Sequence, residues 1–313
     1  MIDLTRRSFV LSGAMTALAI PCHTSGKIPE TIGHVVSSIL TSAIDKSYLQ
    51  SKLSLDALIA PTPLSIGREI AVLADAARQM AGPSPTDPYK VAAIRKAIYD
   101  SGPWNGNRPF SYDQADPLGM IVENKLLATY LATRLGNCVS MPALFMILAE
   151  QTGLNASFVT APLHVFVRFT HPERGPTNLE PTSGAHVARD EWYRTTMPIT
   201  DRAIESGLYM RALTKSEGVA LLATTVLEYL DRENRQQDIV EVADVILQAN
   251  PRDALTMVKK GTAFGKMMQA EFTNKYPTVE SIPATLHQRY QMLADLNRKA
   301  FEDAENLGWQ PIE

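Results

Sequence analysis

The chain has 313 residues, of which 45% are hydrophobic and 20% are charged, a composition typical of soluble globular proteins. This length favours two or three structural units, each large enough to bury its own core. The formal net charge is -3, and no run of Lys or Arg alternates with aromatic residues, so the sequence argues against nucleic acid as a partner.

Residues 1–22 have the layout of an export signal and are predicted to be no part of the fold. Thr5 to Val10, with its paired arginines, resembles the twin-arginine motif, in which two arginines precede a Ser-Phe-Val/Leu step. The weakly apolar stretch Phe9 to Ile20 follows, and it is shorter than the roughly 20 apolar residues that a membrane span needs. The resemblance implies export to the periplasm, cleavage near Ile20, and no integral membrane span in the mature protein.

The chain contains two cysteines, Cys22 and Cys138. Cys22 raises lipid anchoring as an alternative to cleavage, although the preceding Pro21 stands where a lipoprotein signal usually has a small residue. If the signal is removed, one cysteine remains and no disulfide framework can form. An unpaired thiol in an oxidising compartment calls for a functional explanation, and this directs attention to Cys138.

Three structural regions are predicted after the signal. Residues 28–88 show apolar positions at helical spacing and are interpreted as a helical lead-in that ends in the Gly- and Pro-rich segment 82–88. Residues 89–200 are predicted to form the core, and residues 214–313 a helical region. Within that last region, the Asn250-Pro251 step resembles the junction between tetratricopeptide repeats, although a plain helical bundle is the alternative. Such helices could bind a protein partner.

The predicted core is an α+β unit. Residues 118–135 are interpreted as an amphipathic helix that Gly136 ends, and the segment 141–148 is apolar nearly all round, which indicates a helix buried on every side. The hydrophobic period then changes to two, which predicts short antiparallel strands near residues 157–160, 163–169 and 177–180.

Cys138 lies between Gly136 and the predicted buried helix, where the helix dipole and free backbone amides favour a thiolate. A thiolate nucleophile needs a base, and His164 is available on a predicted strand. The imidazole in turn needs an orienting group, and Asn178 and Glu180 follow on the next strand. The pattern is that of a Cys-His-acid triad, with the identity of the third member left open.

These three segments resemble a known family. Gly136-Asn137-Cys138, the strand from Pro162 to Arg168, and the segment from Asn178 to Thr182 are similar to the three motifs of the transglutaminase-like branch of papain-like proteins, and most similar to its bacterial group with helical repeats behind the core. The resemblance implies a papain/transglutaminase-like core with Cys138 as nucleophile, His164 as base and Glu180 at the position of the usual Asp. The Glu-for-Asp exchange leaves Asn178 as the alternative orienting residue.

The resemblance implies an exported cysteine-dependent amide hydrolase or acyltransferase that acts on a peptide or protein amide through an acyl-enzyme. The backbone N–H of Cys138 would supply one oxyanion donor. No cofactor is predicted, and a zinc site built from Cys138, His164 and His186 lacks the usual ligand spacing. The alternative function is a non-catalytic peptide- or protein-binding module on the same fold.

Overall fold

The computed structural model describes residues 30–312 of the chain. The predicted signal peptide, residues 1–22, and the first two residues of the predicted lead-in lie outside the described residues, as does Cys22.

Helices form most of the described chain. They are α1 (Ile32–Thr41), α2 (Tyr48–Asp56), α3 (Ile66–Ala81), α4 (Asp87–Tyr99), α5 (Leu127–Thr133), α6 (Ser140–Thr152), α7 (Asp190–Thr196), α8 (Asp201–Glu205), α9 (Lys215–Arg232), α10 (Gln236–Ala249), α11 (Ala254–Met268) and α12 (His287–Asn306).

The strands form two sheets. The smaller sheet is a parallel pair, β1 (Ser111–Tyr112) and β2 (Leu135–Gly136), and the larger is an antiparallel meander in the order β3 (Ala156–Ala161), β4 (His164–His171), β5 (Gly175–Glu180) and β6 (His186–Ala188). The three predicted strands are confirmed as β3 to β5, whereas β6 was not predicted.

Helix α6 is the centre of the core. Every residue from Ser140 to Ala149 is buried, and the helix packs on β3 and β4 on one side and on α3 and α4 on another. The sequence prediction of a helix buried on all sides is therefore confirmed. A buried helix against an antiparallel sheet, with helices on both flanks, is the α+β fold that the sequence predicted.

The predicted helix over residues 118–135 is wrong in its first half and at its end, because α5 ends at Thr133 and Leu135–Gly136 forms strand β2. Residues 118–121 form a loop and Val122–Lys125 a 3₁₀ turn, and α5 begins only at Leu127. The reason is the buried Asp116 carboxylate, which accepts hydrogen bonds from the backbone N–H groups of Met120 (2.7 Å) and Ile121 (3.3 Å). These N–H groups have a partner outside a helix, so apolar spacing alone does not produce one.

The C-terminal helices share a core with the rest of the described chain. One cluster of buried side chains runs from Val36 in α1 through α6 and the sheet to Ile239 in α10 and Ala263 in α11. Helix α9 packs on β3 and α2, and the segment before it follows the edge of β3, where the Leu213 N–H donates to the Phe158 carbonyl at 2.8 Å. The three predicted region boundaries and the tetratricopeptide resemblance stay predictions.

Between residues 30 and 312, none of the helices combines the length and the apolar character needed to cross a membrane.

Candidate active site

Cys138 occupies a tight loop just before α6. The Asn137 side-chain oxygen accepts hydrogen bonds from the backbone N–H groups of Val139 (3.0 Å) and Ser140 (3.1 Å), and the Ser140 hydroxyl accepts from the Asn137 N–H (3.0 Å). This reciprocal arrangement caps the helix start. Pro142 falls in the first turn, where its missing N–H costs little. Among residues 30–312, no protein group accepts from the Cys138 backbone N–H, which leaves it available to an oxyanion.

Gly136 makes the approach to this loop possible. A side chain there would place its Cβ 2.4 Å from the Tyr130 ring and 2.6 Å from Met141. The chain therefore passes between two buried side chains on its way to Cys138, and only glycine fits.

His164 begins β4 and faces both Cys138 and Glu180. Its Nε2 lies 2.7 Å from a Glu180 carboxylate oxygen, and the neighbouring Cys138 thiol interacts with the imidazole strongly enough to raise its pKa. The thiol, which is 6% exposed, lies 3.7 Å from the Leu163 carbonyl oxygen as well. The structure thus brings together the three residues that the sequence singled out as nucleophile, base and acid.

Glu180 is held by four hydrogen bonds. Besides the imidazole, it accepts from the Tyr193 hydroxyl (2.8 Å), the Thr182 backbone N–H (3.1 Å) and the Thr182 hydroxyl (2.5 Å). Tyr193 itself stacks on Phe166, with ring centroids 4.0 Å apart. A buried carboxylate with this many donors is fixed in position and stays ionised.

The interaction between His164 and Glu180 favours a charged imidazole. Burial lowers the pKa of His164, but its interactions with Cys138 and Glu180 outweigh burial and raise the pKa to about 9. Burial raises the pKa of Glu180, but its hydrogen bond to His164 and the imidazolium charge outweigh that effect and lower it. Near neutral pH the site therefore contains the His164 imidazolium beside the Glu180 carboxylate.

Asn178 does not reach His164. It lies opposite Arg168 in the β4–β5 register, accepts from the Arg168 guanidinium at 2.6 Å and donates to the Asp190 carboxylate at 2.6 Å. Both ends of its amide are occupied by this neighbouring network. Of the two orienting residues that the sequence left open, Glu180 is the one placed on the imidazole.

Cys138 and His164 line one part of a cavity of about 820 Å³. The other walls come from the loop 118–123, from the segment 208–213, and from α9 and α11, with Trp309 near the end of the described chain. The C-terminal helices therefore form part of the same cavity as the thiol.

No group of three or more His, Cys, Asp or Glu side chains in residues 30–312 is arranged to hold a metal ion. His186, which the zinc alternative required, lies instead against the Arg95 guanidinium at 3.1 Å.

The sequence reasoning missed Tyr193 and the role of Asn137. Tyr193 lies beside Trp192 in a short polar helix, and the sequence there gave no usable signal. Asn137 did offer one, because Asn just ahead of an apolar helical run is a capping residue.

A buried helix that presents a cysteine at its start, packed on an antiparallel sheet that supplies a histidine and an acid, defines a papain-like protein. A family model described as transglutaminase-like superfamily matches residues 65–216. This part of the chain, which includes α3, the sheet and all three site residues, belongs to that superfamily. No curated protein and no solved structure matches the chain.

Proposed function

We propose that the protein is a cysteine-dependent amide hydrolase or acyltransferase that works through an acyl-enzyme on a peptide or protein amide. Cys138 is the nucleophile, His164 the acid and base, and Glu180 the residue that orients and charges the imidazole. The observation that carries the proposal is the imidazole held between the thiol and a fourfold hydrogen-bonded carboxylate, at the wall of a large cavity.

In the acylation step, the Cys138 thiolate attacks the amide carbonyl carbon and a C–S bond forms. The backbone N–H of Cys138 is available to stabilise the resulting oxyanion. The His164 imidazolium then donates its proton to the amide nitrogen, the C–N bond breaks and the amine leaves. A thioester on Cys138 and a neutral imidazole remain.

In the deacylation step, water or a second amine attacks the thioester carbonyl while His164 accepts the proton. The C–S bond then breaks, and the thiolate and imidazolium of the starting state return. Attack by water gives hydrolysis, and attack by an amine gives acyl transfer.

The alternative, a non-catalytic binding module, places no demand on the thiol. A module needs a groove, but it needs neither an imidazole beside a cysteine nor a carboxylate hydrogen-bonded to that imidazole. The alignment of the three groups therefore favours the enzyme.

The first test is the reactivity of Cys138. We expect iodoacetamide to alkylate the thiol at pH 6 at least several-fold faster than it alkylates N-acetylcysteine, because an imidazolium partner holds the sulfur as thiolate. The measurement is the second-order rate by mass spectrometry. Equal rates for the protein and the free thiol would favour the binding module.

We further propose that the protein is exported to the periplasm by the twin-arginine route, on the strength of Arg6 and Arg7 in the sequence. Replacing both arginines by lysine should leave the precursor in the cytoplasm, because this route reads the arginine pair. Cell fractionation and the size of the product measure the outcome. Normal export and processing of the double variant would contradict the twin-arginine assignment.

A further inference from the structure

Large apolar side chains stay exposed around the opening of the Cys138 cavity. Leu118 (62% exposed), Met120 (78%), Ile121 (52%) and Leu163 (60%) all line this cavity. Single exposed apolar residues are common on protein surfaces, but a group of them around a functional cavity marks a binding surface. We call these four residues the apolar mouth.

Leu163 holds its position at a conformational cost. It is the second residue of the two-residue turn between β3 and β4, with φ of +52°. That left-handed conformation normally belongs to Gly or Asn and is unfavourable for a bulky side chain. Strain of this kind is concentrated at functional sites. Here the strained residue lies next to the nucleophile: the Cys138 sulfur is 3.7 Å from the Leu163 carbonyl oxygen, and both residues line the same cavity.

The other three residues of the apolar mouth stand on an anchored loop. The buried Asp116 carboxylate accepts from the N–H groups of Met120 and Ile121, and also from the Asn124 side chain at 2.9 Å. The backbone of the loop is therefore held in place while its apolar side chains are exposed. A preorganised apolar surface binds an apolar group without first having to order itself.

The charges around the cavity are largely neutralised within the protein. Four of the five Lys and Arg side chains that line it form ion pairs with carboxylates, namely Lys125 with Glu228, Arg232 with Glu123, Lys259 with Asp231, and Arg211 with Glu217. A ligand therefore gains little by carrying a net charge. The surface nearest the thiol favours an uncharged, apolar group.

We propose that the apolar mouth binds a large apolar side chain next to the amide that Cys138 attacks. The substrate class is then a peptide amide flanked by a residue such as leucine or phenylalanine. This inference rests on the proposed function, because it specifies what the same nucleophile acts on. Leu163 is a specificity-determining residue in this account.

The test compares two alkylating probes that differ only in an apolar group. Chloroacetamide and N-(2-phenylethyl)chloroacetamide are reacted with the protein at pH 6, and each rate is divided by the rate of that probe with glutathione. We expect the normalised rate of the phenylethyl probe to be about tenfold higher, the gain that burial of one apolar side chain provides. Leu163→Gly should lower this preference by about fivefold, and Met120→Ser should lower it in the same direction.

Ser84→Gly is the matched control. Ser84 also has φ of +52° but is exposed and outside the cavity lining, so both normalised rates should stay as in the wild type. Since glycine suits both positions, neither Leu163→Gly nor Ser84→Gly should lower the urea midpoint, and loss of preference in the first cannot then be ascribed to unfolding.

The outcomes separate the two proposals. If the two normalised rates are equal and both are well above one, Cys138 is activated but the apolar mouth has no preference. That result would overturn the apolar mouth and leave the proposed nucleophile in place. A faster reaction of N-(carboxymethyl)chloroacetamide than of the phenylethyl probe would overturn it as well. If neither probe reacts faster with the protein than with glutathione, the result would instead contradict the proposed function.

Discussion

His164→Ala is expected to slow alkylation of Cys138 at pH 6 by about tenfold and to move the onset of reactivity toward pH 8 or above. An unassisted thiol titrates near 8.5, so only about 0.3% is thiolate at pH 6. A partner that keeps a thiol ionised raises the thiolate fraction, while a more acidic thiolate is intrinsically a weaker nucleophile, so the gain in rate is smaller than the rise in that fraction. The net gain of about tenfold is what the variant should lose, and amide turnover should fall by about 100-fold or more.

His171→Ala is the control for this experiment. His171 ends the same strand, and its ring accepts a hydrogen bond from the Glu173 N–H at 3.1 Å, away from the cavity. Its removal should leave the alkylation profile as in the wild type. If His164→Ala and His171→Ala alkylate alike at every pH, His164 does not activate the thiol.

His164→Ala also tests how the interaction between His164 and Glu180 affects the stability of the fold. The pKa of His164 in the folded protein is about 9, above the ordinary 6.5, so the folded state binds this proton more tightly than the unfolded chain. The resulting stabilisation is fully present below pH 6.5 and is lost as the pH rises toward 9. The free energy of unfolding of the wild type should therefore fall more steeply across this window than that of His164→Ala, as urea titrations at several pH values would show.

Local patterns were sufficient to predict the main elements of the site. The run of apolar residues without a polar face required a helix buried on all sides, and Cys138 lies between Gly136 and the start of that run. The change of hydrophobic period to two then required strands, and His164 and Glu180 lie on two that are adjacent in the sheet. These inferences depend on spacing along the chain, which the sequence contains directly.

The choice between Asn178 and Glu180 could not be made in the same way. Both side chains lie on one face of β5, so strand periodicity treats them alike. What separates them is Asp190, on a helix after β6, which with Arg168 occupies the Asn178 amide. The folded helix position, and not a local pattern, decides which residue is left for the imidazole.

The cavity is also a tertiary property. Its far walls come from α9 and α11, whose apolar spacing predicted helices but could not indicate that they face Cys138. The segment before α5 has apolar residues at helical spacing, so it was predicted to be helical. It is a loop because the Asp116 carboxylate accepts hydrogen bonds from its backbone N–H groups. A carboxylate that competes for backbone hydrogen bonds leaves no mark on hydrophobic periodicity.

Glu180→Gln is expected to abolish most of the activity, whereas Asn178→Ala should mainly reduce stability. The substitution of Glu180 removes one of the two partners that raise the pKa of His164, so that pKa should fall. The new amide can also present a donor to a ring nitrogen that needs an acceptor, which disfavours the productive tautomer. We expect amide turnover to fall by on the order of 100-fold or more, and the His164 titration, followed by NMR, to move to lower pH.

Glu180→Asp and Asn178→Ala test whether Glu180 is the residue that orients His164. Glu180→Asp keeps the charge but is one methylene shorter, and should recover part of the turnover and part of the raised pKa of His164. Asn178→Ala leaves Arg168 and Asp190 without their shared partner, and should cost about 1–2 kcal/mol in the free energy of unfolding while the His164 titration stays as in the wild type. If the pKa of His164 changes in Asn178→Ala but not in Glu180→Gln, the assignment is reversed. Only the residue that is hydrogen-bonded to the imidazole should change the pKa of His164 while the fold stays intact.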